Sequence, residues 1–110
     1  MDTSRIPFEP TRYEGISLHI YRRDEETGNG AAIIRMEPGC GYPRHRHHGS
    51  EELLVIQGGY RDHLGEYRAG EYVCYEDGSE HHPIALEGDE ACILFAVSGR
   101  GIELLDPKPD

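Results

Sequence analysis

Six short apolar runs, each closed off by Gly, Pro, Asp or Glu, pass through residues 15 to 105: ISLHIYR, GAAIIRM, ELLVIQG, GEYVCYE, EACILFAV and GIELL. This punctuation leaves no window of eleven residues in which apolar positions recur at i, i+3, i+4 and i+7 without a Gly or Pro cutting it. A helical fold is therefore excluded, and many short strands are expected. With 110 residues, 14 Gly, 7 Pro and no internal repeat, the chain reads as one small all-β domain, a sandwich or jelly roll.

Residues 1–14 are polar and aperiodic and are expected to form an N-terminal arm that packs on a neighbour; residues 15–105 form the domain and 106–110 a tail. Leu53 and Val55 alternate with Leu54 and Ile56, and Ile93, Phe95 and Val97 with Leu94 and Ala96, so both faces of these strands are expected to be covered, by a second sheet or a second subunit. A hairpin is expected at His63-Leu64-Gly65, between Tyr60 and Tyr67. Uncovered edge strands and the arm together predict a homodimer.

The 21 acidic residues against 11 basic ones give a formal net charge of −10, which makes nucleic acid and anionic membranes poor partners. No apolar stretch is long enough to span a membrane and the N-terminus has no basic flank before an apolar region, so a soluble, cytoplasmic protein is expected. The single lysine, Lys108, lies in the tail, which excludes Schiff-base chemistry. Cys40, Cys74 and Cys92 are odd in number and form no C-x-x-C pair, so no disulfide framework is expected. Cys74 and Cys92 read as small buried thiols in apolar strands, and Cys40, in a Pro-Gly-Cys-Gly turn, as the one placed to react.

Five of the seven histidines fall into two tight groups. In an extended strand His45 and His47 point the same way while Arg44 and Arg46 point away, so the two imidazoles can chelate one ion. Glu51, after the loop His48-Gly49-Ser50, shares their parity if the loop preserves the alternation, and His81 follows the turn Asp77-Gly78-Ser79. Three imidazoles and one carboxylate suit Fe, Mn, Zn, Ni or Cu. His48 and His82 read as groups at the rim of such a site, His19 and His63 as ordinary structural residues, and Arg44 and Arg46 as solvated strand charges facing acidic neighbours.

Residues 39 to 58, GCGYPRHRHHGSEELLVIQG, match the first motif of the cupin superfamily, G-x5-H-x-H-x3-E-x6-G, at every defined position. The second, G-x5-P-x-G-x2-H-x3-N, maps onto Gly70 through Ala85 with Gly70, Gly78 and His81 in place, Glu76 standing for the Pro and Ala85 for the Asn. Over roughly residues 30 to 97 the chain resembles the cupin domain of ChrR-type anti-sigma factors and their stand-alone relatives. The resemblance implies an RmlC-like double-stranded β-helix, or jelly-roll barrel, and the ligands His45, His47, Glu51 and His81 for one divalent metal, zinc or iron first, with manganese or nickel as alternatives. In the anti-sigma factors this domain follows an N-terminal zinc-binding helical domain that captures the sigma factor. No such segment stands in this sequence, so sigma binding is not implied.

Other relatives of this size look like single-domain iron oxygenases that cleave C–C bonds in β-diketones or hydroxyacetophenones. Three functions stay open: a dioxygenase acting on a small ketone or phenol, a non-catalytic zinc-binding regulatory or sensor module with a small ligand, and a structural metal site. In the first, Leu53, Val55 and Ile33 or Phe95 are expected to line an apolar chamber, and no separate nucleophile is required.

Overall fold

Each apolar run becomes a strand because β-branched and aromatic residues fit a pleated, half-buried surface, and the glycines between them take the backbone around the corners. The structure, a computed structural model, describes residues 2–105; the tail 106–110 and Lys108 lie outside the described residues. A single 3-10 turn spans Thr3–Arg5. The strands are β1 (Glu9–Pro10), β2 (Ile16–Arg23), β3 (Gly30–Met36), β4 (His45–His47), β5 (Glu51–Gln57), β6 (Gly59–Asp62), β7 (Gly65–Arg68), β8 (Tyr72–Tyr75), β9 (Glu80–His81), β10 (Ile84–Ala85), β11 (Cys92–Ser98) and β12 (Ile102–Leu104). Among the described residues no helix is long and apolar enough to cross a membrane.

All pairings are antiparallel. One sheet of six strands runs β1-β2-β3-β11-β5-β8, and two sheets of three run β10-β6-β7 and β12-β4-β9. This is the expected all-β jelly roll in one domain. The hairpin stands where the sequence places it, with Tyr60 opposite Tyr67 and His63 and Leu64 at the tip. The N-terminal residues fold onto their own chain: Glu9 and Pro10 pair with Leu18 and Ser17, and the Tyr13 ring lies 6.4 Å from that of Tyr42.

The core is the inner face of the large sheet closed by the two small ones. Ile16, Met36, Leu53, Val55, Leu94, Cys92 and, from β8 of the same sheet, Tyr75 are buried there with Tyr60 from the facing β6. Each large side chain so buried contributes about 1.5–3 kcal/mol relative to exposure.

Among the described residues the strand covered on both faces, as expected for β5 and β11, is β11, where neighbouring Ile93 and Leu94 are both buried. In β5, Leu53 and Val55 are buried but Leu54 is 42% exposed, because the adjacent β8 is an edge and nothing among the described residues lies over the outer face there. The same geometry corrects the reading of Cys74. It lies on the outer side of β8 and is exposed, while Cys92, in β11, is buried and its thiol is pushed up to about 12 by that burial. Cys40 is half-buried, packed against Gly15 and the core.

Candidate metal centre

The first two candidate ligands stand at alternate positions of a three-residue strand. In β4, His45 and His47 are 3% and 1% exposed while Arg46 between them points to solvent and pairs with Glu80 and Glu103. Arg44 also pairs with Glu80 at 3.0 Å, so both arginines are strand charges facing acidic neighbours, as their positions predict. The chain then leaves this sheet through His48-Gly49-Ser50 and enters the large one at Glu51. Gly49 makes the exit with φ +77, a conformation other residues resist, and its N–H donates to Asp77 Oδ1 at 2.8 Å. Glu51 thus reaches the inner face by changing sheets; continued alternation along one strand is not what delivers it.

The fourth residue arrives through the turn at Gly78, where φ is +85. The Gly78 N–H donates to the His47 carbonyl and the His47 N–H to the Ser79 carbonyl, both at 2.8 Å. These bonds clamp β9 beside β4, with His81 directly opposite His45. One side-chain donor atom from each of His45, His47, Glu51 and His81 then lies within 4.8 Å of the others, and all four residues are buried.

The tautomers follow from the outer partners. His45 Nδ1 lies 2.8 Å from the Pro43 carbonyl, which can only accept. His81 Nδ1 lies 2.9 Å from Asp62 Oδ2, a carboxylate oxygen. The Ser79 hydroxyl gives its proton to the Glu76 carbonyl at 2.6 Å, so toward His47 Nδ1, at 3.0 Å, it must accept. Every Nδ1 therefore carries the proton and every Nε2 turns a bare lone pair inward.

The result is a cluster of acceptors with no proton to share. His81 Nε2 and His45 Nε2 are 3.0 Å apart, and His47 Nε2 stands 3.0 Å from Glu51 Oε1 with no hydrogen-bond partner. Buried lone pairs this close repel unless a cation sits among them. Two metal–imidazole bonds of ~2.1 Å at about a right angle put their nitrogens ~3 Å apart, so the donor set fits a divalent first-row ion.

Burial lowers the affinity of the His45 and His81 rings for protons. It holds His45 below its ordinary value against the Pro43 carbonyl bond, and takes His81 down to about 4, the nearby His45 and His47 adding to the effect while Asp62 opposes it. The unfolded chain protonates these two rings near ~6.5. The stability of cation-free protein is thus full above about pH 6.5 and is lost as the pH falls from there toward 4. Thermal melts after EDTA treatment should give a lower Tm at pH 5 than at pH 7.5, and equal or higher melting at pH 5 would contradict this arrangement.

The sequence gives no notice of the group behind His81. Asp62, whose side chain is fully buried, accepts from His81 Nδ1 and, at 2.6 Å, from the Tyr75 hydroxyl, which is in turn 2.6 Å from the Tyr60 hydroxyl. Burial disfavours the Asp62 charge, but the bonds from Tyr75 and His81 outweigh it and hold the carboxyl below its usual range. The only local signal is an Asx turn, Leu64 N–H to Asp62 Oδ1 at 2.9 Å, which marks a hairpin and says nothing of a histidine nineteen residues on.

His48 and His82 are exposed; His48 pairs with Glu103 at 3.2 Å, and neither joins the cluster. His19 packs edge-on against Tyr21, and His63 sits exposed at the hairpin tip.

In front of the cluster lies a small chamber of about 70 Å³ lined by Ile34, Tyr42, Leu53, Leu94 and Ile102 beside His45, Glu51 and His81. It shares Ile34, Tyr42, Glu51 and Ile102 with a wider mouth of about 430 Å³. Of the expected lining residues only Leu53 is present. Val55 faces inward but packs in the core, while Ile33 and Phe95 pair with each other on the outer face of the large sheet. Tyr42, whose ring stands 5.4 Å from His45, has its phenol pushed up by burial first and by the Glu51 charge second, so it is a neutral hydrogen-bond donor in the chamber.

A family model described as the ChrR cupin-like domain matches residues 1–100. The anti-sigma-E factor ChrR of Cereibacter sphaeroides is 36% identical over 72 residues, covering 63% of this chain and 33% of that protein, so the chain spans about a third of the length of this curated relative. Among solved structures, Rhodobacter sphaeroides SigE in complex with the anti-sigma ChrR matches with a TM-score of 0.76 and 27% identity, over 88% of this chain and 50% of that one. An RmlC-like cupin protein from Ralstonia eutropha JMP134 gives 0.82 and 23% (99% and 73% covered), and an acetylacetone dioxygenase from Acinetobacter johnsonii 0.82 and 17% (96% and 76%). These last two likenesses bear on the fold alone. With the family model spanning nearly the whole chain and both histidine motifs meeting at one buried cluster, the chain belongs to the ChrR cupin-like family of the cupin superfamily.

Proposed function

We propose that His45, His47, Glu51 and His81 hold one divalent cation and that the protein is a metal-dependent oxygenase acting on a small chelating ketone or phenol. The observation that carries this reading is the open side of the cluster: a structural site closes its ligands around the ion, whereas here the ligands face a chamber that widens to the surface. A cation bound there supplies Lewis acidity to a chelating oxygen ligand and, where the ion is iron, electron transfer with dioxygen. The chain's own part is positional. Pro43, Ser79 and Asp62 fix the three rings, the apolar wall keeps water out, and Tyr42 can donate to a ligand oxygen.

The test is oxygen uptake by iron-loaded protein offered a panel of β-diketones and phenols, with His81→Ala as control. Turnover abolished in the variant is expected; no uptake across the panel contradicts the oxygenase. The second reading, a zinc-binding regulatory module in the cytoplasm, is favoured by the likeness to the anti-sigma-E factor ChrR. Its sign is a ligand-dependent rise in Tm with no product formed. A homodimer belongs to either reading, since the outer face around Leu54 and Tyr72 is exposed; a monomeric mass by light scattering would remove it.

A further inference from the structure

Strand β2 does not keep its alternation to the end. Leu18 and Ile20 pair with Ile34 and Ala32 on the inner face, the register slips at Tyr21, and Arg22 and Arg23 then pair with Ala31 and Gly30. In a regular strand Arg22 would follow Ile20 inward. The bulge turns Arg22 outward and brings Arg23 to the inner side, a re-aiming that bulges beside binding sites commonly perform. Its cross-strand neighbour is Gly30, which has no side chain to shade the guanidinium.

Both arginines border the mouth of the chamber, but they are not equivalent. Arg22 hydrogen-bonds the Asn29 side-chain oxygen. The Arg23 side chain has no hydrogen bond or ion pair among the described residues, and its charge acts on the Tyr42 phenol, countering part of the rise that burial causes. Two acids share the rim. Asp24 is engaged in its turn, its Oδ1 accepting from the N–H groups of Glu26 and Thr27 at 2.9 and 3.4 Å, and Glu25 is exposed. At the base of the mouth the Glu51 charge faces the cluster.

We infer that Arg23 sets the specificity of the site and that its ligand is a small chelator bearing a carboxylate: two oxygens directed at the cluster, an apolar middle along Ile34 and Ile102, and an anionic end at Arg23. This rests on reading the cluster and chamber as a ligand site. An unpaired guanidinium at the rim of an apolar throat binds a carboxylate through charge-assisted hydrogen bonds and does nothing for a neutral ketone of equal length.

The test uses two β-diketones of the same chain length, neutral heptane-2,4-dione and anionic 4,6-dioxoheptanoate, titrated calorimetrically into the zinc-loaded protein, so that no turnover intervenes. Wild type is expected to bind the carboxylate about tenfold more tightly. Arg23→Gln should lose that preference and bind the neutral dione as wild type does, which also reports an intact fold; Arg22→Gln should keep the preference. Equal binding of the two by wild type, a preference that survives Arg23→Gln, or loss of both ligands in that variant would overturn the role of Arg23 and leave the chamber reading standing. Binding of neither compound to wild type would overturn the chamber reading itself.

Discussion

Removing the divalent cation is expected to lower the melting temperature by roughly 15 °C or more, measured with the ion at a thousandfold excess over its Kd. The estimate follows from linkage: an ion that binds only the folded chain stabilises it by about 4 kcal/mol at that excess, and in a domain of this size each kcal/mol moves Tm by roughly 4–8 °C. The molecular cause is the set of inward lone pairs. Without a cation, His45 and His81 oppose each other at 3.0 Å, and His47 Nε2 is buried with no partner. Scanning calorimetry of EDTA-treated protein with and without added zinc measures the effect, and coincident melts would remove the cation from the account of stability.

Asp62→Ala is expected to weaken metal binding by about 10–100-fold and to destabilise the cation-free protein as well. The carboxylate fixes the His81 tautomer and is the acceptor for Tyr75, so its removal leaves two buried donors unsatisfied, each costing about 1–3 kcal/mol. Asp62→Asn keeps an acceptor oxygen in place and should recover part of both losses. Competition against a zinc chelator gives the affinity and thermal melts the stability. A variant with wild-type affinity would show that the rings are held in place without Asp62.

The pair His45 and His47 was legible in the sequence because a strand enforces a period of two, and the structure keeps that period over the three residues of β4. Glu51 and His81 were legible through motif spacing, while the means by which they arrive was not. Glu51 crosses from one sheet to another at Gly49, and His81 is set by bonds between the Gly78 turn and β4 that join residues about thirty apart. Asp62 was missed for the same reason: its partner lies on another sheet, and a local Asx turn explains its presence fully. The chamber list failed on register. Ile33 and Phe95 are apolar like the inner residues, and only the pairing shows that they face outward together. Arg23 was hidden by a one-residue bulge that reverses the parity of the strand end, a feature with no composition of its own here.

The central claim is that the four converging side chains are the ligands of one cation, and elemental analysis tests it most directly. Untagged protein, purified without chelators from cells supplied with several metals, should contain about one equivalent of a divalent first-row ion, and His47→Ala less than about a tenth of that. Wild-type protein free of metal, or a variant that keeps its full equivalent, would contradict the account.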